Sequence, residues 1–403
     1  MRITRISELA SAVFVLVAAT FVLTASASAA SHEKVLTAFD AAHGTYPSAE
    51  LVFDGAGNLY GTTTLGGTHS LGTVFELQPI SGGGWKTIVL HNFSGGKDGR
   101  NPYSPLIFDS AGNLYGTTYQ GGDSCNCGTV FELSPANGYW KERVIYSFVR
   151  GSDGANPHGG LVFDSAGNLY GATSEGGGNA DAGTVFELTP NNGNWTETVL
   201  YSFADPDKDG RSPMSTLIFD GSGNLYGTTG SGGAYAHGNV FELSPGSGGW
   251  TEKVLQNFAT GGSYAALVFD NAGNLYGTTL SGGRYGFGVV FELTLSNGNW
   301  TNKVIHQFSN GVDGASPSDR LLFAGGNLYG TTSAGGVAHD GVVFELKPAS
   351  NGKWTETVLH AFTGLWDGAS PYAGVILDSA GNLYGTTMDG GHLGQGVVFE
   401  ITP

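Results

Sequence analysis

Gly57-Asn58-Leu59-Tyr60-Gly61-Thr62-Thr63 decides the fold, because the same phrase returns along the whole chain. Gly-Asn-Leu-Tyr-Gly-Thr/Ala-Thr recurs around Tyr60, Tyr115, Tyr170, Tyr226, Tyr276, Tyr329 and Tyr384, at spacings of 50–56 residues. Val-Phe-Glu-Leu/Ile follows each copy, around Phe75, Phe131, Phe186, Phe241, Phe291, Phe344 and Phe399, and a Gly-Gly pair stands between the two phrases every time. Self-similarity at a fixed period marks a repeat architecture.

Working outward from Tyr60, one unit reads as four strands. Leu51–Asp54 is the first, Asn58–Thr63 the second, Thr73–Leu77 the third and Lys86–Phe93 the fourth. Val, Phe, Tyr, Leu and Thr fill these segments, and Gly/Asn/Asp turns separate them, which is β patterning throughout. Asp54-Gly55-Ala56-Gly57-Asn58 has the chemistry of a tight hairpin: Asp bonds back to the backbone, and Gly takes the positive φ. The protein is rich in glycine, with 68 residues, but 12% of it is aromatic, which separates it from disordered Gly-rich chains.

The fourth strand ends in Phe93, Phe148, Phe203, Phe258, Phe308 and Phe362, and the seventh unit stops at Pro403 after its third strand. The missing copy lies at the other end: Glu33-Lys34-Val35-Leu36-Thr37-Ala38-Phe39 matches Glu356-Thr357-Val358-Leu359-His360-Ala361-Phe362. The expectation is an all-β, seven-bladed β-propeller of four antiparallel strands per blade, whose last blade is closed by the N-terminal strand. Splitting one blade between the two termini locks the ring shut, where an open stack would leave edge strands exposed. A parallel β-helix has shorter rungs and needs no split unit. The repeated Trp85, Trp140, Trp195, Trp250, Trp300 and Trp354, and the Glu of each Val-Phe-Glu phrase, read as framework, since each repeat must bury its apolar face on a neighbour.

Residues 1–30 read as a signal peptide. Arg2 and Arg5 precede an apolar run from Leu9 to Leu23, and Ala25-Ser26-Ala27-Ser28-Ala29 offers small-residue cleavage sites. The run is short for a membrane span. Residues 31–403 then form the propeller, expected to be secreted, extracellular or periplasmic, and monomeric. The net charge is −17; Arg2, Arg5 and Glu8 give the leader +1, so residues 31–403 carry −18. Phosphate binding relies on Lys and Arg, so nucleic acid and anionic lipid surfaces are poor partners. Cys125 and Cys127 are the two cysteines; either a local bridge or two free thiols suits an exported chain, and neither holds the fold together.

The unit formed by Gly-Asn-Leu-Tyr-Gly-Thr-Thr, Gly-Gly and Gly-Thr-Val-Phe-Glu-Leu resembles the Gloeobacter/Verrucomicrobium-type repeat of bacterial choice-of-anchor tandem repeat proteins, from about residue 33 to 403. The resemblance implies an exported surface or extracellular protein with no assigned activity, and it supplies no catalytic residues. Ile401-Thr402-Pro403 ends on a strand, so attachment through a sorting tail is not expected.

Two features are candidates for binding. The loop from the fourth strand into the next first strand carries Asp-Gly-x-x-Pro from Asp98, Asp153, Asp209, Asp313 and Asp367, and blade five loses it. These Asp residues suit turns, and alternatively a carboxylate ring at one mouth of the channel. One copy, Asp205-Pro206-Asp207-Lys208-Asp209-Gly210, matches the start of a calcium loop, but Thr216 stands where the bidentate Glu belongs. Asp205, Asp207 and Asp209 are therefore a candidate calcium set with an incomplete ligand list, and no other cofactor is expected.

Framework positions repeat, whereas binding positions are free to differ. After the loop proline the copies read Ser48, Tyr103, His158, Met214, Tyr264 (without the proline), Ser318 and Tyr372. Two residues on stand Glu50, Pro105, Gly160, Thr216, Ala266, Arg320 and Gly374. These positions should rim the channel, where Tyr103, Tyr264, Tyr372, His158 and Met214 can stack on a sugar or flat apolar ligand. Glu50, Asp319 and Arg320 are lone charges there. Loop histidines His69, His237, His339 and His392 differ in position and read as exposed polar filler. The expected function is a non-catalytic extracellular scaffold for a glycan or protein ligand, because no Gly-x-Ser-x-Gly, His-Glu-x-x-His or phosphate loop is present. The alternatives are an extracellular carbohydrate-active enzyme (lyase, glycosidase or lactonase) with Glu50, Asp319, Arg320 and His158 at its rim, and a purely structural envelope component.

Overall fold

The Asp54 carboxylate folds its own hairpin by accepting the N–H groups of Ala56 (2.8 Å) and Asn58 (2.9 Å), the Asn58 side-chain amide (2.7 Å) and the Tyr60 hydroxyl (3.2 Å). Burial alone would raise its pKa, but these donors outweigh burial and hold it below the usual carboxylate range. Asp109, Asp164, Asp220, Asp270 and Asp378 repeat the device. Blade six departs from it, with Ala324 and a Gly325-Gly326 turn, and there the Asn327 amide bonds Glu345 instead.

In the computed structural model, which describes residues 31–403 apart from Ser124 and Pro206, this hairpin is the inner half of a four-stranded antiparallel blade. In blade one Val52–Phe53 pairs with Leu59–Thr63, then Thr73–Ile80, then Gly84–Asn92. Seven such sheets form the ring of a seven-bladed β-propeller. The signal peptide expected in residues 1–30 lies outside the described residues. The first strand is shorter than its apolar run, because only two residues of each copy, three in blade six, pair after the chain leaves the rim. Blades three and four add a fifth segment, Ala155–Pro157 and Arg211–Pro213, on an extended second strand.

The last blade is split as expected. His32–Ala38 pairs antiparallel with Val397–Thr402, the outer position of the sheet that ends at Ile376–Leu377. Every outer pair carries a register shift: Val74 faces His91 while Phe75 faces Val89, so Leu90 is a bulge. The equivalent bulge in the split blade falls at Leu36. Such a bulge re-aims a side chain, and Leu36, Leu90, Ile145, Leu200, Leu255, Ile305 and Leu359 all join the clusters between blades.

Seven hydrophobic clusters fill the seven inter-blade grooves. Tyr60 of blade one lies edge-on to Phe108 (5.1 Å) and Trp140 (6.1 Å) of blade two, and Tyr115, Tyr170, Tyr226 and Tyr276 make the same contacts with the next blade's tryptophan. The glycine of Leu-Tyr-Gly is dictated by packing within the blade: a Cβ on Gly61 would sit 2.7 Å from Phe75 Cζ. Cys125 and Cys127 are joined by a disulfide in the surface loop of blade two.

The N-terminal strand contributes Phe39, 1% exposed, against Phe75 at 5.0 Å. Phe39→Ala should cost about 3–5 kcal/mol, and deletion of residues 31–39 should lower the melting temperature far more. An unchanged melting temperature on deletion would show that this strand does not close the ring.

Candidate functional site

The rim is built by three repeated devices. A residue with positive φ precedes the loop proline: Tyr46, Asn101, Asn156, Ser212, Ser316 and Ser370 all lie at 55–58°. The rim residue follows the proline. Its neighbouring carbonyl is then tied to the preceding blade by a framework threonine: Thr62 Oγ1 donates to Ser104 O (3.2 Å), Thr117 to Gly159 O (3.4 Å) and Thr331 to Ala373 O (2.8 Å). Identical anchors thus hold side chains that differ.

The structure brings the expected rim residues together. Tyr103, His158, Met214, Tyr264 and Tyr372 line one cavity of about 380 Å³ at the channel mouth, with Asp319 at its floor. His158 stacks on Tyr103 (5.1 Å between rings, 14° between planes). Burial lowers the His158 pKa, outweighing its bond to the Met214 backbone, so the ring is neutral at physiological pH. Tyr264 and Tyr372 are 40% and 43% exposed, so part of each ring is open to a ligand although Tyr264 packs on Gly230.

A second ring escaped the sequence reading. The residue after Gly-Thr-Thr donates its backbone N–H to the loop that enters its own blade: Tyr119 to Asn101 O (3.1 Å), Leu280 to Gly262 O (2.9 Å) and Met388 to Ser370 O (3.0 Å). Leu280 and Met388 line the mouth, and Tyr119 lies edge-on to Tyr103 at 5.6 Å. In blade four this position is Gly230, where a Cβ would lie 2.4 Å from Tyr264 Cε1. The signal was present, because this position also differs from copy to copy.

Beneath the mouth, first-strand residues of all seven blades line a channel cavity of about 430 Å³. Its neck carries the lone charges. Arg320 donates to Glu50 Oε1 (2.6 Å), while Asp319 accepts the N–H groups of Arg320 (2.7 Å) and Gly374 (2.9 Å). Arg320 keeps 36% of its side-chain surface because it faces the lumen, although protein surrounds it. Burial, reinforced by the Glu50 charge, raises the Asp319 pKa to about 6. An aromatic-walled cup over a carboxyl group that titrates near neutrality can bind a polar ligand and exchange a proton with it.

The remaining candidates lie elsewhere. The loop Asp residues turn into their own loops: Asp98 accepts from Ser94 N–H and O–H, Asp313 from Ser309, and Asp367 from Thr363. Asp209 is engaged by the Tyr201 hydroxyl (2.8 Å) and the Ala204 N–H (3.1 Å), and Asp205 by Lys208 (2.5 Å). The structure does not gather Asp205, Asp207 and Asp209 around a common point, and among the described residues no three His, Cys, Asp or Glu side chains converge for a metal ion. His392 stacks on Trp366 (5.0 Å, 12°), an exposed tryptophan outside the framework series on the mouth-side loops. Tyr235, Tyr285, Val337 and Leu393 are also exposed in those loops, against Ile80, Tyr139 and Leu295 in the opposite turns. No helix of the described residues is long and apolar enough to cross a membrane.

This ring of near-identical blades, differing mainly at its mouth, defines a tandem-repeat β-propeller. The family profile for the Gloeobacter/Verrucomicrobia repeat matches residues 18–229, 122–311 and 214–403, and the chain belongs to that family. No curated protein matches it in sequence. Among solved structures it is similar to an ancestral GH74 enzyme (TM-score 0.59, 13% identity, covering 89% of this chain and 47% of that one). It is also similar to a proposed 6-phosphogluconolactonase of Bacteroides uniformis (0.52, 17%, 77% and 84%) and to PorZ, a surface component of the type-IX secretion system of Porphyromonas gingivalis (0.50, 15%, 90% and 47%). The chain spans about half the length of the GH74 enzyme and of PorZ. At these identities the likeness is one of fold.

Two outcomes follow. The Asp319 carboxyl should titrate near pH 6 in a carboxyl-resolved NMR titration, and Arg320→Met should move it higher, because the guanidinium stabilises the ionised form. Stability from this group is present below the ordinary Asp pKa and is lost as pH rises towards 6. Chelation with EDTA should leave the melting curve unchanged; a fall would reveal a bound cation.

Proposed function

We propose that the protein is an exported scaffold whose propeller mouth binds a glycan. The observation that carries this reading is the convergence of unlike side chains at one repeat position. Tyr103, His158, Met214, Tyr264 and Tyr372 form an aromatic and thioether cup, whereas the framework around them is uniform. Sugar rings present C–H faces to aromatic rings and hydroxyls to polar groups, and both kinds of partner are available between the cup and the charged neck. The Trp366–His392 stack on the same side extends the aromatic surface outward, which suits a polymer more than a small solute. Export rests on the leader read in residues 1–30.

A second reading, favoured by the raised pKa of Asp319 alone, is an extracellular carbohydrate-active enzyme in which Asp319 handles a proton beside Glu50. The scaffold reading is preferred because both oxygens of Asp319 and one of Glu50 are already engaged within the neck.

The test is binding to a broad panel of extracellular polysaccharides, beside a Tyr103→Ala/Tyr264→Ala/Tyr372→Ala variant. The expected result is binding that falls at least tenfold in the variant with its melting temperature retained. Equal binding by both would move the site off the mouth, and no binding would leave a protein partner as the ligand. Turnover of a bound polysaccharide that disappears in Asp319→Asn, with affinity kept, would favour the enzyme reading.

A further inference from the structure

A different set of carboxyl groups lies between the blades, and it bears on the ring itself rather than on the ligand. Two residues after the framework tryptophan, the fourth strands carry Thr87, Glu142, Glu197, Glu252, Asn302 and Glu356, and the N-terminal strand carries Glu33 at the matching place. Four residues further on stand His91, Tyr146, Tyr201, Gln256, His306, His360 and Thr37. The second position of one blade faces the first position of the next: Thr37 Oγ1 lies 2.9 Å from Thr87 Oγ1, and His306 Nε2 lies 3.8 Å from Glu356 Oε2.

The identities are matched to the loop Asp above each groove. Where that loop supplies Asp98, Asp153, Asp313 or Asp367, the facing residue is Glu142, Glu197, Glu356 or Glu33. Where the Asp of Asp-Gly-x-x-Pro is missing, the pair is neutral: Gln256 with Asn302 between blades four and five, and Thr37 with Thr87 between blades seven and one, where His43 takes its place and is paired with Asp40 of the same loop. Acid thus stands opposite acid, and never opposite the grooves without one. In all four Glu residues Oε1 is buried and makes no hydrogen bond within the protein. Two buried carboxylates without a cation between them repel, and binding one proton relieves the cost.

We propose that each of these four grooves takes up one proton as the pH falls through neutrality, and that the Glu, whose Oε1 has no donor, carries it. The loop Asp residues differ in that neighbouring groups donate to them: Ser94 to Asp98, Ser309 to Asp313, Thr363 to Asp367, and Val149 and Tyr146 to Oδ2 of Asp153, whose Oδ1 is buried without a partner. The Glu has no such donors. Burial, and then the facing Asp, raises Glu33, Glu142 and Glu197 to about 7 and Glu356 to about 8. Glu252 beside Asp209 repeats the arrangement, but in the loop weighed above as a cation site, and the inference rests on the other four. The other titratable groups in these grooves are His91 and His360, 3.4 and 3.2 Å from Asp98 and Asp367, His306 beside Glu356, and Tyr146 on Asp153. Burial lowers all three histidines, so they are neutral where the Glu residues titrate.

The sign follows. The folded protein keeps protons that the unfolded chain releases above about pH 4.5, so stability falls as pH rises from there to about 7–8 and is level beyond. The ring is a proton-binding assembly that tightens in mild acid.

The test uses the full chain and a Glu33→Gln/Glu142→Gln/Glu197→Gln/Glu356→Gln variant, which keeps the shape and removes the proton sites. Infrared absorption of un-ionised carboxyl groups should be present at pH 6.5, fade between pH 7 and 9, and be largely lost in the variant. The melting temperature of the parent should fall more steeply between pH 5 and 8 than that of the variant. Absence of the band in the parent, or a variant with the same band and the same pH profile, would overturn the proposal. If the variant does not fold, titration of the parent's band decides alone.

Discussion

The structure depends on the contact between the second-strand tyrosine of one blade and the tryptophan and first-strand aromatic residue of the next. Tyr60 against Phe108 and Trp140 is one instance; five grooves carry the tyrosine–tryptophan contact, Tyr384 meets Phe53, and Tyr329 packs with Leu359 and Leu377 instead. Edge-to-face pairs of this kind add about 0.5–1.5 kcal/mol each beyond the area they bury. More important, the contact has two sides. A blade leaves an apolar face exposed unless it has a neighbour on both flanks, so a row of blades is stable only when it closes. Closure in turn requires that the first and last units share a sheet, which His32–Ala38 accomplishes beside Val397–Thr402. The channel and its mouth are consequences, since seven inner strands must converge where the ring closes.

That logic explains what could be read from the sequence. Repeats report framework, so the blade count, the split blade and the framework role of the repeated tryptophans were legible in the sequence. Positions where repeats disagree report the site, so Tyr103, His158, Met214, Tyr264 and Tyr372 were legible as a rim. Tyr119, Leu280 and Met388 were not found, although their position also varies, because only the backbone bonds across the loop bring them beside the rim. The bulges at Leu36 and Leu90 were invisible, since an extra apolar residue in an apolar strand leaves no local mark. Asp209 of the calcium-loop-like stretch is also one copy of the turn-forming Asp, accepting from Tyr201 and Ala204.

The loop Asp illustrates how one residue serves two neighbours. It closes its own turn through backbone donors, and the same charge faces the outer strand of the next blade, where Glu142, Glu197 or Glu356 answers it. Blade five shows that the pairing is a unit. There the loop shortens to Gly261-Gly262, the Asp disappears, and Asn302 replaces the Glu while Gln256 replaces the His or Tyr. The mouth is rebuilt by other means: Tyr264 lies over Gly230, and Gly238 lacks the proline contact that the equivalent glycines of the other blades have.

Asymmetry in the neck follows the same rule. Arg320 of blade six reaches Glu50 of blade one past blade seven, whose residue at that position is Gly374. A Cβ there would lie 2.7 Å from Arg320 O, so the glycine is required by the close approach. Three unlike residues at one repeat position, Glu50, Arg320 and Gly374, therefore act as a single arrangement, and Asp319 completes it by accepting the Gly374 N–H. A ring of identical blades would present a sevenfold surface with no orientation. Placing the charges on one side of the neck and the exposed tyrosines 264 and 372 above it gives the mouth a direction, which is what recognition of an asymmetric ligand such as a sugar chain requires.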